Sequence, residues 1–260
     1  MQLFLGHITG NEFQLDAAEV QHCVKVLRKS IGDSIHFITG DGNLYQGEIS
    51  FTSKSKVYGS FSKVKSKFGT VPYSLTIAIA PTKNMDRIEQ FVEKAVEMGI
   101  DAIVPIICDH SERKVIKEDR LRKIVLSATK QSLKGKLTQV QSALSFKEFI
   151  AQEHSNLLIA HCEEGDKSSL KEVLDANIPT TIMIGPEGDF SPAEIQLALD
   201  SGARPIHLGL SRLRTETAGL VAVSTVYQEL GCLLQRATFA RMDASNHPKE
   251  LPPLELVFDL

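Results

Sequence analysis

The sequence contains no tryptophan, and its aromatic residues amount to only 6% of 260. Its four cysteines, at positions 23, 108, 162 and 232, lie 54 or more residues apart, which disfavours structural zinc and a disulfide framework. Apolar runs such as residues 77–80 fall far short of the roughly 20 residues that a membrane helix needs. The first residues show no secretory pattern, so we expect a cytoplasmic protein that binds no metal and no membrane.

Common nucleotide and hydrolase motifs are also missing. The sequence has no Gly-x-Gly-x-x-Gly, no Gly-Lys-Ser/Thr loop and no Gly-x-Ser-x-Gly elbow. These absences disfavour a dinucleotide site, a triphosphate site and a serine hydrolase. A hydrophobic content of 42% and a charged content of 23% are those of a folded protein, and the length suggests one or two domains.

Charge is distributed unevenly, although the net charge is only −3. Residues 49–84 contain six lysines and no acidic residue, and residues 111–136 contain nine basic residues against three acidic ones. Two solvated faces or a polyanion-binding surface would both explain this pattern.

The hydrophobic pattern changes near residue 71. Before it, short alternating runs and the turn at 40–43 predict a small β module with a hairpin over 34–49 and one helix over 17–28. After it, strand-like and helix-like runs alternate, which is typical of an α/β domain with a parallel sheet. We therefore predict two domains, at residues 1–71 and 72–260.

Local signals place the elements of the second domain. Asn84 is the expected N-cap of a helix ending at Gly99, and Ser191-Pro192-Ala193-Glu194 is a capping box with proline at the first helical position. The predicted strands are 75–80, 103–107, 156–160, 180–184 and 205–208. The other predicted helices are 117–133, 146–151, 169–174 and 215–234.

Ligands collect beyond the carboxyl ends of parallel strands, where four loops qualify: 81–87, 161–166, 185–190 and 209–216. Glycines in Gly185-Pro186-Glu187-Gly188 would let the backbone approach a ligand, although a tight structural turn explains them equally well. Arg214 opens the last helix, where helix capping does not require an arginine but an anionic partner would favour one.

Three motifs together resemble the RsmE family, the bacterial 16S ribosomal RNA (uracil-N3)-methyltransferases of the SPOUT superfamily. They are Gln21-His22-(x)3-Val26-Leu27-Arg28, the turn from Gly185 to Ser191 with Glu194, and Leu208-Gly209-(x)3-Leu213-Arg214-Thr215-Glu216-Thr217-Ala218. The resemblance implies a PUA-like RNA-binding β-barrel followed by a SPOUT domain with a deep trefoil knot. It also implies an S-adenosylmethionine cofactor, a homodimer and 16S rRNA or the small ribosomal subunit as partner.

In the family, three loops at the knot hold the cofactor, and the first of them follows Ala160 here. The cofactor-binding residues implied are Ile184, Gly185, Gly188, Leu208, Gly209, Leu213 and Thr215. Many members have a second glycine where this chain has Asp189, and an arginine where it has Ser211, which leaves the role of Arg212 open.

Methylation of uracil N3 requires loss of a proton and stabilisation of the resulting anion. We expect Arg214 to bond a uracil oxygen or a flanking phosphate, and Glu216 is the nearest candidate base. Glu216 could instead serve as a helix cap, with hydroxide or a water chain as base. Arg28, Lys83 and Arg87 are the expected phosphate contacts.

Two other functions fit the same scaffold. One is a non-catalytic RNA-binding or ribosome-assembly factor, which would not need the glycine loops. The other is a SPOUT methyltransferase that acts on another RNA.

Overall fold

The N-terminal part forms a closed five-stranded barrel in the computed structural model, which describes residues 1–231. Its strands are β1 (Leu3–Thr9), β2 (Glu12–Leu15), β3 (Ser34–Ile38), β4 (Leu44–Thr52) and β5 (Val57–Lys65). The barrel order is β1-β2-β5-β4-β3, closed by the parallel pair β1 and β3. Cys232, the predicted end of the last helix at residue 234 and everything else predicted for 232–260 lie outside the described residues.

Aromatic side chains fill the barrel. The Phe37 ring stacks on Phe13 and Tyr45, with ring centroids 4.8 and 5.3 Å apart. The predicted hairpin over 34–49 is confirmed, since β3 and β4 pair antiparallel and the turn between them uses left-handed glycines, with φ of 86° at Gly40 and 89° at Gly42.

The predicted helix over 17–28 is shorter than expected. An α-helix, α1 (Ala17–Gln21), passes into a π-helical turn (His22–Val26), and Arg28 takes a left-handed φ of 54°. The wider turn keeps Cys23 fully buried in the barrel while Leu27 donates to the carbonyl of His22. The need to return to β3 ends the helix early.

A parallel sheet forms the second part of the chain, which confirms the predicted α/β class. Its strands are β6 (Leu75–Ile79), β7 (Ala102–Ile107), β8 (Gln139–Val140), β9 (Leu144–Ser145), β10 (Asn156–Ala160), β11 (Ser168–Ser169), β12 (Thr180–Ile184) and β13 (Arg204–His207). The order is β11-β13-β10-β12-β6-β7-β8, with β9 paired to β7. The helices are α2 (Met85–Met98), α3 (Glu118–Gln131), α4 (Phe146–Ile150), α5 (Pro192–Asp200) and α6 (Thr215–Gly231).

The ends of α2 and the start of α5 follow the predicted signals, but one predicted helix does not form. Asn84 caps α2 through the Asp86 amide, Gly99 ends α2 with φ of 107°, and Ser191 and Glu194 form the expected capping box. The prediction of a helix over 169–174 is wrong. Only a 3-10 turn (Leu170–Val173) forms there, because Leu174 returns to extended backbone with ψ of 138°.

The carboxyl ends of four strands meet at one edge of the sheet. Ala160 at the end of β10 is in register with Ile184 of β12 and with Ile206 of β13, and Ile184 is in register with Ile79 of β6. The loops after these strands therefore lie side by side, as the sequence analysis expected of a parallel sheet.

The barrel contacts the sheet domain through α3. Lys130 donates 2.7 and 2.9 Å hydrogen bonds to both carboxylate oxygens of Glu19, whose side chain is only 6% exposed. Nearby, Gly42 of the barrel donates to the carbonyl of Gly135 at 3.0 Å. The Lys130–Glu19 ion pair and the Gly42–Gly135 hydrogen bond thus join the two parts of the chain.

We expect Lys130→Met to lower the free energy of unfolding by roughly 3–5 kcal/mol, because it leaves the buried carboxylate of Glu19 without its cation. Thermal unfolding followed by calorimetry measures the effect. Glu19→Gln in the same background should restore part of the loss. The exposed Lys94, which pairs with Glu93 and Glu97, is the control, and Lys94→Met should cause no measurable change. A Lys130→Met protein that melts like the wild type would contradict the assignment.

Candidate functional site

Two adjoining cavities lie at the carboxyl edge of the sheet, of about 290 and 780 Å³. Both are lined by Ala160, Cys162, Asp189, Arg212, Leu213 and Ala218. The smaller one is also lined by Ile184, Gly185, Pro186, Glu187, Arg214 and Thr215. The larger one extends to His161, Glu163, Glu164, Lys167, Ile206, His207, Leu208, Gly209, Leu210 and Ser211. Three of the four loops predicted to gather here therefore form a continuous site.

Most of the predicted cofactor-binding residues lie in these walls. Ile184, Gly185 and Thr215 line the smaller cavity, Leu208 and Gly209 line the larger one, and Leu213 lines both. Gly209 has φ of 121°, and a Cβ there would meet no atom within 4 Å. The strained φ explains the glycine, and the empty space beside it leaves room for a ligand.

Thr215 ties the last helix to the glycine turn. Its buried hydroxyl donates a 3.0 Å hydrogen bond to the carbonyl of Gly185. A Cβ on Gly185 would lie 3.1 Å from the Phe190 ring, so this position also requires a small residue. The first turn of α6 is thus fixed against the end of β12.

Gly188 lines neither cavity, in contrast to the role that the resemblance implies for it. It faces the segment after β7, where a Cβ would lie 3.0 Å from the Cβ of His110. The His110 Nδ1 lies 3.0 Å from the carbonyl oxygens of both Gly188 and Asp189. Because both partners are acceptors, Nδ1 carries the proton and donates to them.

Asp189 connects two loops of the site and was missed in the sequence analysis as a site residue. Its Oδ2 accepts a 2.7 Å hydrogen bond from the amide of Cys162, and its Oδ1 accepts one of 2.8 Å from the amide of Phe190. Its φ of 62° is left-handed, a conformation that favours glycine and that aspartate tolerates better than most residues. The sequence carried one signal of this role, because this chain has an aspartate at position 189, where many family members have glycine.

Two further side chains in the wall have shifted pKa values. Burial and then the positive charge of Lys167 lower the pKa of the half-buried His161, so its imidazole is neutral at pH 7. Cys162 is exposed, but partial desolvation and then the Asp189 carboxylate raise the pKa of its thiol. A protonated thiol is a poor nucleophile, so the site is not suited to cysteine-based covalent chemistry.

Arg214 projects from the start of α6 and is exposed at the smaller cavity. Within residues 1–231, its guanidinium makes no hydrogen bond or ion pair to a protein group, and the same holds for the exposed Arg212. A guanidinium at a helix N-terminus offers several donors to a planar or anionic ligand.

Glu216 lines neither cavity. Its Oε1 lies 3.8 Å from the Nε of Arg87 in α2. Arg87, one of the expected phosphate contacts, therefore has an ion-pair partner within the protein.

The two other predicted RNA contacts belong to different parts of the chain, Lys83 to the sheet domain and Arg28 to the barrel. Lys83 follows β6, where its amide donates to Glu187 at 3.0 Å and its ammonium lies 3.0 Å from Glu112. Arg28 is an exposed residue of the barrel. Neither lines the two cavities.

In the part of the chain that the structure describes, no group of three potential ligands could hold a metal ion. No helix there combines the length and the apolar character that crossing a membrane requires.

A family model described as an RNA methyltransferase domain matches residues 70–227, more than half of the chain. The chain belongs to this RNA methyltransferase family. A second model, described as an RNA methyltransferase PUA domain, matches residues 15–62 of the barrel. The matches confirm the predicted enzyme class and the predicted PUA-like character of the barrel.

Relatives of this methyltransferase carry more specific names. The chain is 28% identical to a Rickettsia conorii protein named ribosomal RNA small subunit methyltransferase E, over 79% of this chain and 85% of the relative. The resemblance to the RsmE family is therefore confirmed.

Solved structures share the whole fold. The crystal structure of a probable rRNA-methyltransferase from Porphyromonas gingivalis has 35% identity and a TM-score of 0.80, covering 90% of this chain and all of that one. A Legionella pneumophila methyltransferase in complex with the bound cofactor SAM has 26% identity and a TM-score of 0.75, covering 87% of this chain and 96% of the other.

Proposed function

We propose that this protein methylates N3 of a specific uridine in 16S ribosomal RNA, with S-adenosylmethionine as methyl donor. The observation that carries the proposal is the pair of joined cavities between the Gly185 turn and the Gly209 loop, in a chain that belongs to an RNA methyltransferase family. The relatives named as small-subunit rRNA methyltransferases support the substrate, and the SAM complex of a structural relative supports the cofactor.

The residues present fit such a cofactor. The two cavities have volumes of about 290 and 780 Å³, in the range of small-molecule sites. Their walls combine apolar side chains with exposed backbone, where Ile184, Gly185, Leu208, Gly209 and Leu213 would hold the ligand. Thr215 contributes through its bond to Gly185, since its hydroxyl is already engaged. Gly188 lies on the side of the turn that faces His110, where a Cβ would be 3.0 Å from the Cβ of His110.

The chemistry divides between the cofactor and the chain. When bound, S-adenosylmethionine supplies a methyl group on a positively charged sulfur, which leaves as a neutral thioether when uracil N3 takes the methyl and gives up its proton. Arg214 stands at the open side of the smaller cavity, where its guanidinium would bond the uracil oxygen that gains negative charge. Hydroxide or a water chain takes the proton in this proposal, since Glu216, the base that the sequence suggested, lines neither cavity.

The assembly expected from the family is part of the same proposal. A SPOUT trefoil knot is supported by the sheet order, in which β13 lies between β10 and β11 although both precede it in the chain. A homodimer that meets near this region is what the resemblance to the family implies. The domain boundary at residue 71 falls between β5 and β6, and an rRNA substrate places the enzyme in the cytoplasm.

The test uses small ribosomal subunits from a bacterial strain that lacks uridine N3 methylation. The purified protein is incubated with these subunits, with naked 16S rRNA or with total RNA of the strain, and with isotopically labelled S-adenosylmethionine. Nucleosides and nuclease fragments are then analysed by mass spectrometry. We expect labelled 3-methyluridine in a single fragment of 16S rRNA. Cofactor binding with label only in another RNA would reassign the substrate, and failure to bind the cofactor in calorimetry would favour a non-catalytic assembly factor.

A further inference from the structure

The first turns of α2 and α6 are joined by one charged contact. The Nε of Arg87 lies 3.8 Å from the Oε1 of Glu216, and their side chains are 37% and 14% exposed. This is the one ion pair between α2 and α6 within residues 1–231. One turn further into α6 the helices pack closely, since a Cβ on Gly219 would lie 2.7 Å from the Phe91 ring.

Glu216 is oriented away from the candidate active site. Thr215 and Ala218 of α6 line the smaller cavity, as does Arg214 just before the helix, whereas Glu216 does not. Its second oxygen, Oε2, is buried and accepts no hydrogen bond from residues 1–231. A general base must come within hydrogen-bond reach of its proton, directly or through one water. Glu216 lines neither cavity, and the partner that the structure gives its Oε1 is Arg87 of α2.

We propose that Glu216 is a positioning residue rather than the catalytic base, and that Arg87 is its partner rather than a phosphate contact. The Arg87–Glu216 pair holds one side of the first turn of α6 against α2, while the Thr215 hydroxyl holds the other side against Gly185. Both attachments are made by the two residues that follow Arg214, so they restrict the position of its backbone and hence of its guanidinium at the cavity. This role rests on the proposed function of Arg214.

The first measurement needs neither cofactor nor RNA. Hydrogen exchange of the peptide that covers residues 210–220 is compared in the wild type, Glu216→Gln and Arg87→Met. We expect both variants to exchange faster in this peptide, and the double variant to exchange no faster than either single one, because each change breaks the same contact. Arg120→Met is the matched control, since Arg120 pairs with Glu89 of α2 at 2.7 Å without contacting α6. Unchanged exchange in both single variants would overturn the proposal.

The second measurement is single-turnover methyl transfer with calorimetric binding of S-adenosylmethionine. We expect each variant to slow transfer by about 5- to 20-fold, with cofactor affinity within about threefold and with most of the rate kept in Arg87→Lys. A loss above about 1000-fold in Glu216→Gln alone would make Glu216 the base and overturn the proposal. So would weaker, less salt-sensitive RNA binding in Arg87→Met that Glu216→Gln does not share. A wild type that transfers no methyl group would refute the proposed function, while hydrogen exchange would still decide the role of the pair.

Discussion

Arg214→Ala is expected to slow methyl transfer by about 100-fold or more while cofactor affinity stays within a few-fold of wild type. The guanidinium lies at the smaller cavity and has no protein partner within residues 1–231, so its hydrogen bonds are available to the substrate. Removal of one donor aimed at charge that develops in the transition state costs about 10²- to 10³-fold in rate. Single-turnover kinetics and calorimetry measure the two quantities separately.

Two further variants show whether the effect of Arg214→Ala comes from the lost donors or from a general loss of positive charge. Arg214→Lys keeps the charge but loses the planar pair of donors, so it should recover only part of the rate. Lys147→Ala removes an exposed cation in α4 that lines neither cavity, and it should leave the rate unchanged. Wild-type turnover in Arg214→Ala would remove this residue from the catalytic group. A large loss of cofactor affinity would instead assign it to the cofactor.

Asp189→Ala is expected to weaken S-adenosylmethionine binding by roughly 10- to 100-fold. The carboxylate accepts hydrogen bonds from the amides of Cys162 and Phe190, and so connects the loop after β10 with the turn after β12. Loss of a hydrogen bond to a charged group costs about 1.5–3 kcal/mol, and each 1.4 kcal/mol corresponds to about tenfold in affinity. Without the connection, ligand binding has to order the loop itself. Calorimetric titration gives the dissociation constant.

Asp189→Gly separates the lost hydrogen bonds from backbone strain. Alanine is disfavoured at the left-handed φ of 62°, whereas glycine adopts it freely. We expect the glycine variant to bind the cofactor nearly as weakly as the alanine variant, although it should be the more stable of the two in thermal unfolding. Asp189→Asn keeps an oxygen acceptor and should be intermediate. Full affinity in Asp189→Gly would show that the carboxylate does not hold the loop.

Local signals in the sequence were sufficient for most elements of the sheet domain. Strands 156–160 and 180–184 and the capping box at Ser191 occur where predicted. Each depends on neighbouring residues, through short apolar runs or side chains that bond the nearest amides. The prediction was wrong for the helix at 169–174, where the chain has to return to the sheet after a single turn.

Contacts between distant parts of the chain were not predictable in the same way. Nothing in the sequence indicated that Gly188 lies beside His110, which is 78 residues away in the chain. Arg87 was predicted to contact a phosphate, and its neighbour in the fold is Glu216, which approaches it from another helix. Side chains that face across elements leave no periodic trace in a single sequence, so their partners appear only after the chain has folded.

The sequence by itself determined the two-part architecture, the glycine-bearing turns and the arginine at the start of the last helix, because turn and cap preferences act over a few residues. The tertiary structure alone decided which of these groups face the cavities. It placed Asp189 in the wall and turned Glu216 toward α2, since the orientation of a side chain in a helix or turn depends on how the elements pack.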